Sequence, residues 1–141
     1  MGTRSAIIVK VGKEYKGIYC HWDGYPTGLG VGAKLHIHYN SQEKAEALIA
    51  LGDLSSLREK LAPEEGTTHT FDNPQADVTV AYGRDRGETD PDYTHPKTGK
   101  TVEEVSNKID CAYIYVFRNG RWMFRASWRK TLRNLAKVAE K

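Results

Sequence analysis

The chain of 141 residues lacks any long apolar run and has only two cysteines. No stretch approaches the roughly 18 consecutive apolar residues of a membrane-spanning helix, so we expect no membrane partner. The first 13 residues contain an apolar run of only about five, which is too short for a secretion signal. Cys20 and Cys111 have no paired spacing with each other or with histidine, which predicts reduced, buried thiols. We therefore expect a cytoplasmic protein.

Signatures of catalysis are also scarce. The phosphate-loop motif of nucleotide hydrolases and the dinucleotide fingerprint are absent, so no cofactor is expected. His21 and Asp23 lie two residues apart, as do His36 and His38, but neither pair has the spacing of a zinc site or a hydrolase. We expect no catalytic residue, no metal and no enzymatic activity. A small hydrolase or nuclease built around His21 and Asp23 stays open as an alternative.

The composition is that of one globular domain over residues 1–141. Hydrophobic residues make up 39% of the chain and charged residues 28%, values that are typical of folded domains. Charge is uneven: residues 118–141 contain eight Lys or Arg and one Glu, whereas residues 1–117 contain 13 Lys or Arg and 17 Asp or Glu. Such a basic segment favours an anionic partner.

Apolar runs predict two β-hairpins. Residues 3–22 contain two β-branched and aromatic runs that a turn-forming glycine separates. Residues 112–124 contain two aromatic runs joined by Asn119 and Gly120, the preferred pair for a type I′ turn. A further strand is predicted over residues 78–82. Together these runs predict an α+β fold with an antiparallel sheet of about five strands and short inserted helices.

Helical spacing occurs between and after the hairpins. Ser41 is a predicted N-cap of the clearest helix, and Gly52 is its predicted end. Ser127 is a predicted N-cap for a basic amphipathic C-terminal helix over residues 127–141. Further short helices are predicted over residues 55–63 and 101–108, and an irregular loop over residues 83–100. The spacing of Leu35 and Tyr39 favours a helix over residues 31–40, with a short strand as the alternative.

The stretch CHWDGYPTGLG, residues 20–30, concentrates aromatic side chains and glycines in a loop. Trp22 and Tyr25 offer flat faces for stacking, and Asp23 offers acceptors for the polar edge of a base or sugar. The glycines allow the backbone to approach a ligand closely. The loop is thus a candidate binding site. The alternative, which the sequence leaves open, is that Trp22 belongs to the core and the loop is only a turn.

A second stretch, YGRDRGE, supplies positive charge. In an extended loop the side chains of Arg84 and Arg86 project from the same face, while Asp85 points to the other face or pairs with one of them. Two guanidinium groups beside the accessible backbone amides of glycine residues could bind a phosphate group. Tyr82 of this stretch and Asn73 of a nearby turn complete the candidate ligand-binding residues. The alternative is a surface loop with a local ion pair of little energetic weight.

The motifs GTRS, IYCHWDGYP, EALIALGDLSSL, FDNP and VAYGRDRGE occur in this order along the chain. In these motifs the chain resembles a widespread set of small proteins encoded by bacteriophages and prophages. The resemblance covers residues 2–88 well and the aromatic hairpin moderately. The basic segment over residues 127–141 looks like an appendage that the resemblance does not cover.

The resemblance implies a role against bacterial defence. By analogy with phage sponge proteins, which sequester the cyclic nucleotide signals of defence systems such as CBASS, we expect a protein that captures such a signal without cleaving it. A cyclic dinucleotide presents two purines for the aromatic loop and two phosphates for the arginines. Such a symmetric ligand suits a homo-oligomer whose copies share the pocket. The expected location is the cytoplasm of the infected bacterial cell.

An alternative function follows from the basic C-terminal helix, which could bind a host protein or nucleic acid. Within it Asn134 is the only side-chain amide suited to reading a base, and Trp128 is expected to dock the helix onto the sheet. A nucleic-acid partner is therefore less favoured than a nucleotide signal.

Overall fold

One sheet runs through the described part of the chain, and its central strands are buried on both faces. The computed structural model describes residues 3–28 and 30–136, and within them eight strands join a single sheet. The strands are β1 (Ser5–Val11), β2 (Glu14–Cys20), β3 (Leu54–Ser56), β4 (Val80–Ala81), β5 (Lys97–Gly99), β6 (Tyr113–Arg118), β7 (Arg121–Ala126) and β8 (Arg133–Asn134).

The sheet is mixed. Its strands lie in the order β4-β3-β2-β1-β6-β7-β8, and β5 pairs with β2. β1 and β6 are parallel, with Ser5 opposite Tyr113, and β2 meets β3 in parallel. The α+β class is confirmed, but the prediction of an antiparallel sheet of about five strands is wrong in strand number and direction. Four strands have only two or three residues, and β1 pairs with a strand far away in sequence, so no local pattern specifies these features.

Both predicted hairpins are present. β1 and β2 pair antiparallel over their full length, as do β6 and β7. At the turn between β6 and β7, Asn119 has a φ of 55° and Gly120 a φ of 77°. Positive φ at both central residues is the geometry of a type I′ turn, whose twist matches that of the flanking strands.

Five short helices lie among the described residues: α1 (Val31–His38), α2 (Gln42–Ile49), α3 (Tyr82–Arg86), α4 (Pro91–Thr94) and α5 (Val102–Ser106). The predicted cap of α2 is confirmed, because the Ser41 hydroxyl accepts a hydrogen bond from the Lys44 amide at 3.2 Å. Thr101 caps α5 in the same way through the Glu104 amide. None of these helices is long and apolar enough for a bilayer crossing.

Two predictions for the middle of the chain are wrong. Residues 55–63 do not form a helix, because the carbonyl groups of Leu54 and Ser55 accept hydrogen bonds from the amides that continue β2. Residues 83–100 are not an irregular loop but contain most of α3, all of α4 and β5. The Asp90 carboxylate caps α4, whose first residue is a proline, and both features favour helix initiation.

The predicted helix over residues 127–141 is wrong for residues 127–135, which form turns and β8. Ala136 is helical, and residues 137–141 lie outside the described part of the chain. The guanidinium of Arg125 stabilises the turn, since it donates to the carbonyl groups of Ser127 and Arg129 at 3.1 and 2.6 Å. The chain then reverses and β8 pairs with β7.

The sheet buries an apolar layer on each face. In β1, Ile7 and Val9 join the core beneath α1 and α2, whereas Ala6 and Ile8 join the core beneath α5. This alternation has the two-residue period of a strand. Because full burial of one such large aliphatic side chain contributes roughly 1.5–3 kcal/mol, the two layers hold the sheet between its helices.

One buried hydrogen bond ties the sheet to the loop after β2. Tyr115 in β6 is fully buried, and its hydroxyl donates to the carbonyl oxygen of Gly24 at 2.6 Å. The Gly24 amide donates to the carbonyl oxygen of Thr3 at 2.7 Å. The core therefore fixes the position of the loop that carries Trp22.

Tyr115→Phe should lower the free energy of unfolding by about 1–3 kcal/mol, because the Gly24 carbonyl oxygen loses its donor inside the protein. Urea denaturation followed by circular dichroism measures the change. Tyr113→Phe is the matched control, since the Tyr113 hydroxyl has no hydrogen-bond partner among the described residues. Equal losses in the two variants would contradict the assigned role of the Tyr115 hydroxyl.

Candidate functional site

Three side chains at the carboxyl end of β2, Tyr19, His21 and Trp22, form what we call the aromatic ridge. The Tyr19 hydroxyl lies 2.6 Å from His21 Nδ1, and the rings of His21 and Trp22 meet edge to face with centroids 4.8 Å apart. Trp22 remains 44% exposed. The alternative in which Trp22 belongs to the core is therefore wrong, and part of its ring is open to stacking.

Close packing holds the loop that follows the ridge. Asp23 has a φ of 58°, and its carbonyl oxygen accepts a hydrogen bond from the first amide of α1. A Cβ atom on Gly24 would lie 2.7 Å from the carbonyl oxygen of Thr3, and one on Gly30 would clash with Tyr25. These two glycines thus serve contacts within the protein, whereas the sequence predicted close approach to a ligand. The half-buried Tyr25 packs against Gly30.

A cleft of about 550 Å³ opens beside Trp22, and we call it the tryptophan cleft. Trp22 and Asp23 line it from the first loop, and Phe71, which is 36% exposed, lines it from the polar segment before β4. Lys34 of α1 and Arg58 also line this cleft and contribute positive charge. Glu59 is a second carboxylate in its lining. Two exposed rings, two carboxylates and two cations from separate parts of the chain thus border one cavity.

Tyr19 lines a second cleft of about 570 Å³, which we call the tyrosine cleft. Tyr93 contributes a second ring, and Lys97 and Asp53 contribute charges of opposite sign. The Asp53 carboxylate accepts a hydrogen bond from the Tyr19 amide at 3.0 Å, and the Asp53 amide donates to the Tyr93 carbonyl oxygen at 2.8 Å. These bonds hold the acid between the two tyrosines. Burial raises the pKa of the Asp53 carboxyl above its usual value.

A third cleft of about 710 Å³, the middle cleft, adjoins the other two. It shares Trp22 with the tryptophan cleft, and it shares the ion pair of Arg4 and Asp110 with the tyrosine cleft. His21 and Cys111 also line it. Burial raises the pKa of the Cys111 thiol to about 11, so the thiol is protonated at neutral pH and is not an activated nucleophile.

Arg84 lies in α3, so its predicted alignment with Arg86 on an extended loop is wrong. The Arg84 guanidinium donates to the Asp85 carboxylate at 2.9 Å and to the carbonyl oxygens of Leu61 and Thr79, each at 2.7 Å. Asp85 is almost fully buried. Arg84 thus joins three segments of the protein, and it is not among the residues that line the three clefts.

Arg86 belongs to an aromatic stack that links two clefts. Its guanidinium carbon lies 5.0 Å from the ring centroid of Phe71 and 5.5 Å from that of Tyr82. Tyr82 stacks on Phe71 and meets Tyr93 edge to face, with centroid distances of 6.5 and 6.2 Å. Tyr82 therefore supports the rings that line the tryptophan and tyrosine clefts. Asn73 is exposed on the turn that follows Phe71.

Sequence reasoning missed three rings and an acid that line the clefts, Tyr19, Phe71, Tyr93 and Asp53, as well as the cations Lys34 and Arg58. Phe71 and Tyr93 lie in the polar, proline-containing stretches HTFDNP and DPDYTHP. Large aromatic side chains in such stretches are a signal that could have found them, because an irregular polar segment rarely places them in the core. Tyr19 and Asp53 carry no such local signal, since only the pairing of distant segments brings them together.

Comparisons of the chain with protein-family models, with curated proteins and with solved structures gave no match. The resemblance to phage-encoded proteins therefore stays a prediction. Among residues 3–28 and 30–136, no group of three His, Cys, Asp or Glu side chains is arranged to hold a metal ion. The function is accordingly inferred from the aromatic ridge and its three clefts.

Arg84→Met should lower the free energy of unfolding by about 1.5–3 kcal/mol, because the buried Asp85 carboxylate and two carbonyl groups lose a charged donor. Thermal and urea denaturation measure the loss. Arg86→Met is the matched control: the Arg86 side chain is 49% exposed, and its ion pair with Glu88 is a loose 3.6 Å, so it should cost less than about 1 kcal/mol. A larger loss in Arg86→Met than in Arg84→Met would refute this assignment.

Asp53→Asn should become more stable relative to the unaltered protein as the pH rises above 3.8, the ordinary Asp value. The folded-state pKa of Asp53 is raised, so the unfolded chain ionises first and stability falls until the folded carboxyl has also ionised. Asparagine keeps the acceptor for the Tyr19 amide but has no charge. Urea denaturation of both proteins from pH 3 to pH 8 tests this; a stability difference independent of pH would contradict it.

Proposed function

We propose that the protein is a phage-encoded binding protein that captures a cyclic nucleotide signal of a bacterial defence system without cleaving it. In this proposal a purine base of the signal stacks on the rings that border the tryptophan cleft. The observation that supports it most is that Trp22 and Phe71, two exposed rings from separate loops, line one cavity together with Lys34 and Arg58.

The chemistry of this cavity matches the parts of a nucleotide. Stacking of a base on an aromatic side chain is worth about 1–3 kcal/mol per base. Lys34 and Arg58 supply positive charge for a phosphate group, and the exposed Asp23 carboxylate accepts hydrogen bonds from amino groups or hydroxyls. Arg86 lies over Phe71 and adds positive charge next to the stacking surface. These features replace the pair of arginines that the sequence predicted for the phosphates.

Capture without cleavage agrees with the state of the reactive groups. The Cys111 thiol is protonated at neutral pH because burial raises its pKa. Nδ1 of His21 is engaged in a hydrogen bond with the Tyr19 hydroxyl. We further propose that the protein acts in the cytoplasm of the infected cell, as a homo-oligomer whose copies each bind part of a symmetric signal.

A second candidate function is binding of a nucleic acid or of an acidic host protein. A separate cleft of about 570 Å³ is bordered by Lys100, Arg118, Arg125 and Lys130. Trp128, two residues before Lys130 in the chain, is 70% exposed, and its ring lies against that of Tyr113 with centroids 6.3 Å apart. Positive charge and an exposed ring in one short segment suit a phosphate-rich single strand, although residues 127–135 form turns and β8 instead of the predicted helix.

Isothermal titration calorimetry with a panel of cyclic dinucleotides and trinucleotides tests the proposal. At least one compound should bind, and Trp22→Leu should weaken that binding about 10-fold to 100-fold, because one base loses its stacking surface. Trp128→Leu is the matched control: it removes an exposed tryptophan outside the three clefts and should leave the affinity unchanged.

Three outcomes would count against nucleotide capture. If no compound in the panel binds at micromolar protein, the nucleotide-capture proposal is wrong. An equal loss of affinity in Trp22→Leu and Trp128→Leu would place the ligand outside the tryptophan cleft. Chromatography of the bound compound after long incubation should recover it intact, and its breakdown would favour the hydrolase alternative. Salt-sensitive binding of single-stranded DNA that Trp128→Leu abolishes would instead favour the second candidate.

A further inference from the structure

The proposed stacking in the tryptophan cleft gives no role to Asp53, whose carboxylate lines the tyrosine cleft. Asp53 is only 7% exposed, and one of its oxygens, Oδ1, accepts the Tyr19 amide. The other oxygen, Oδ2, has no hydrogen-bond partner among the described residues. Among the described residues the only buried side-chain oxygen without a partner is Ser5 Oγ, so Oδ2 of Asp53 is reached by the solvent of the cleft and is open to a donor. Since Asp53 lines the cleft, a ligand entering there could supply the missing donors.

The surroundings of Asp53 combine flat rings with positive charge. The rings of Tyr19 and Tyr93 line the same cleft, as do Lys97 and Lys108. The Lys97 ammonium donates to the Asp92 carbonyl oxygen at 3.1 Å, and the Lys108 ammonium donates to the Thr98 carbonyl oxygen at 2.8 Å. An ammonium group has three N–H donors, so each lysine keeps further donors for a ligand. A suitable ligand therefore has a planar ring, adjacent N–H donors on one edge, and an anionic group.

We propose that the tyrosine cleft binds a guanine base and that the captured signal contains guanine. Guanine presents its N1–H and its 2-amino group side by side, so a carboxylate can accept both at once in one plane. Adenine presents an acceptor nitrogen beside its amino group, and a carboxylate repels that acceptor. The inference deepens the nucleotide-capture function and rests on it.

The arrangement of the clefts gives a second purine a place. The tyrosine cleft meets the middle cleft at Arg4 and Asp110, and the middle cleft meets the tryptophan cleft at Trp22. A ligand with two purines could put its guanine against Asp53 and its other base against Trp22, with one phosphate near Arg4 of the middle cleft and the other near Lys34 and Arg58 of the tryptophan cleft. Asp53 would then choose the base, while Trp22 would add affinity for either purine.

Calorimetry with the full chain and three cyclic dinucleotides that differ only in their bases tests this inference. One carries two guanines, the second two hypoxanthines, which lack the 2-amino group, and the third two adenines. The guanine compound should bind at least about tenfold more tightly than each of the others, the scale of a bidentate contact.

Asp53→Asn should abolish this preference, because the amide replaces one acceptor with a donor. The variant keeps an oxygen for the Tyr19 amide, and circular dichroism checks that it folds. Asp92→Asn is the matched control: its carboxylate lines the same cleft but is 82% exposed, so the preference should remain. If Asp53→Asn does not fold, the comparison of guanine with hypoxanthine in the unaltered protein still decides.

The outcomes separate the two proposals. If none of the three compounds binds and the wider panel is silent, nucleotide capture fails and the guanine inference fails with it. If the three bind with equal affinity, or if Asp53→Asn keeps the guanine preference, the guanine inference is overturned while nucleotide capture stands. Binding of the adenine compound alone likewise overturns the choice of base by Asp53.

Discussion

The candidate site depends on how the end of β2 pairs with the chain around residue 54. The amides of His21 and Trp22 donate to the carbonyl oxygens of Leu54 and Ser55, each at 3.0 Å. The Tyr19 amide donates to the Asp53 carboxylate. These three hydrogen bonds hold the aromatic ridge in place and bring Asp53 to the tyrosine cleft. They also place residues 55–59 along the tryptophan cleft. Without them the ring-bearing loops would have no common scaffold.

The distribution of positive charge follows from which side chains the fold itself uses. Arg84 is held by Asp85 and by two carbonyl groups, so its donors are engaged inside the protein. Arg125 closes the turn after β7 in the same manner. Lys34 and Arg58, which carried no motif, instead border the tryptophan cleft. Proximity to glycine in the sequence therefore did not identify the cations at the site.

Local chemistry in the sequence predicted the parts of the fold that local chemistry determines. The turn at Asn119 and Gly120 and the cap at Ser41 depend on neighbouring residues alone, and both are present. The parallel pairing of β1 with β6 and the strand β3 depend on contacts between distant segments, so periodicity could not reveal them. The apolar spacing after Ser127 suggested a helix, but the chain there bends around Arg125.

The same distinction applies to the site. Trp22 and Asp23 were predicted from a loop whose composition is unusual in itself, and both line a cleft. Asp53 lies between two apolar runs and looks like an ordinary turn residue until the sheet brings it beneath Tyr19. Phe71 became part of the site through its neighbours in the stack, Tyr82 and Arg86, which no sequence spacing encodes. Long-range packing thus decides which candidate residues share a cavity.

The most direct test of the central claim is a nuclear magnetic resonance titration that follows the three indole N–H signals, assigned by single Trp→Phe variants. With a binding cyclic nucleotide, the Trp22 signal should shift and saturate, whereas the signal of the buried Trp122 should stay in place. A saturating ligand that leaves the Trp22 signal unmoved, or that shifts only the Trp128 signal, would contradict stacking in the tryptophan cleft.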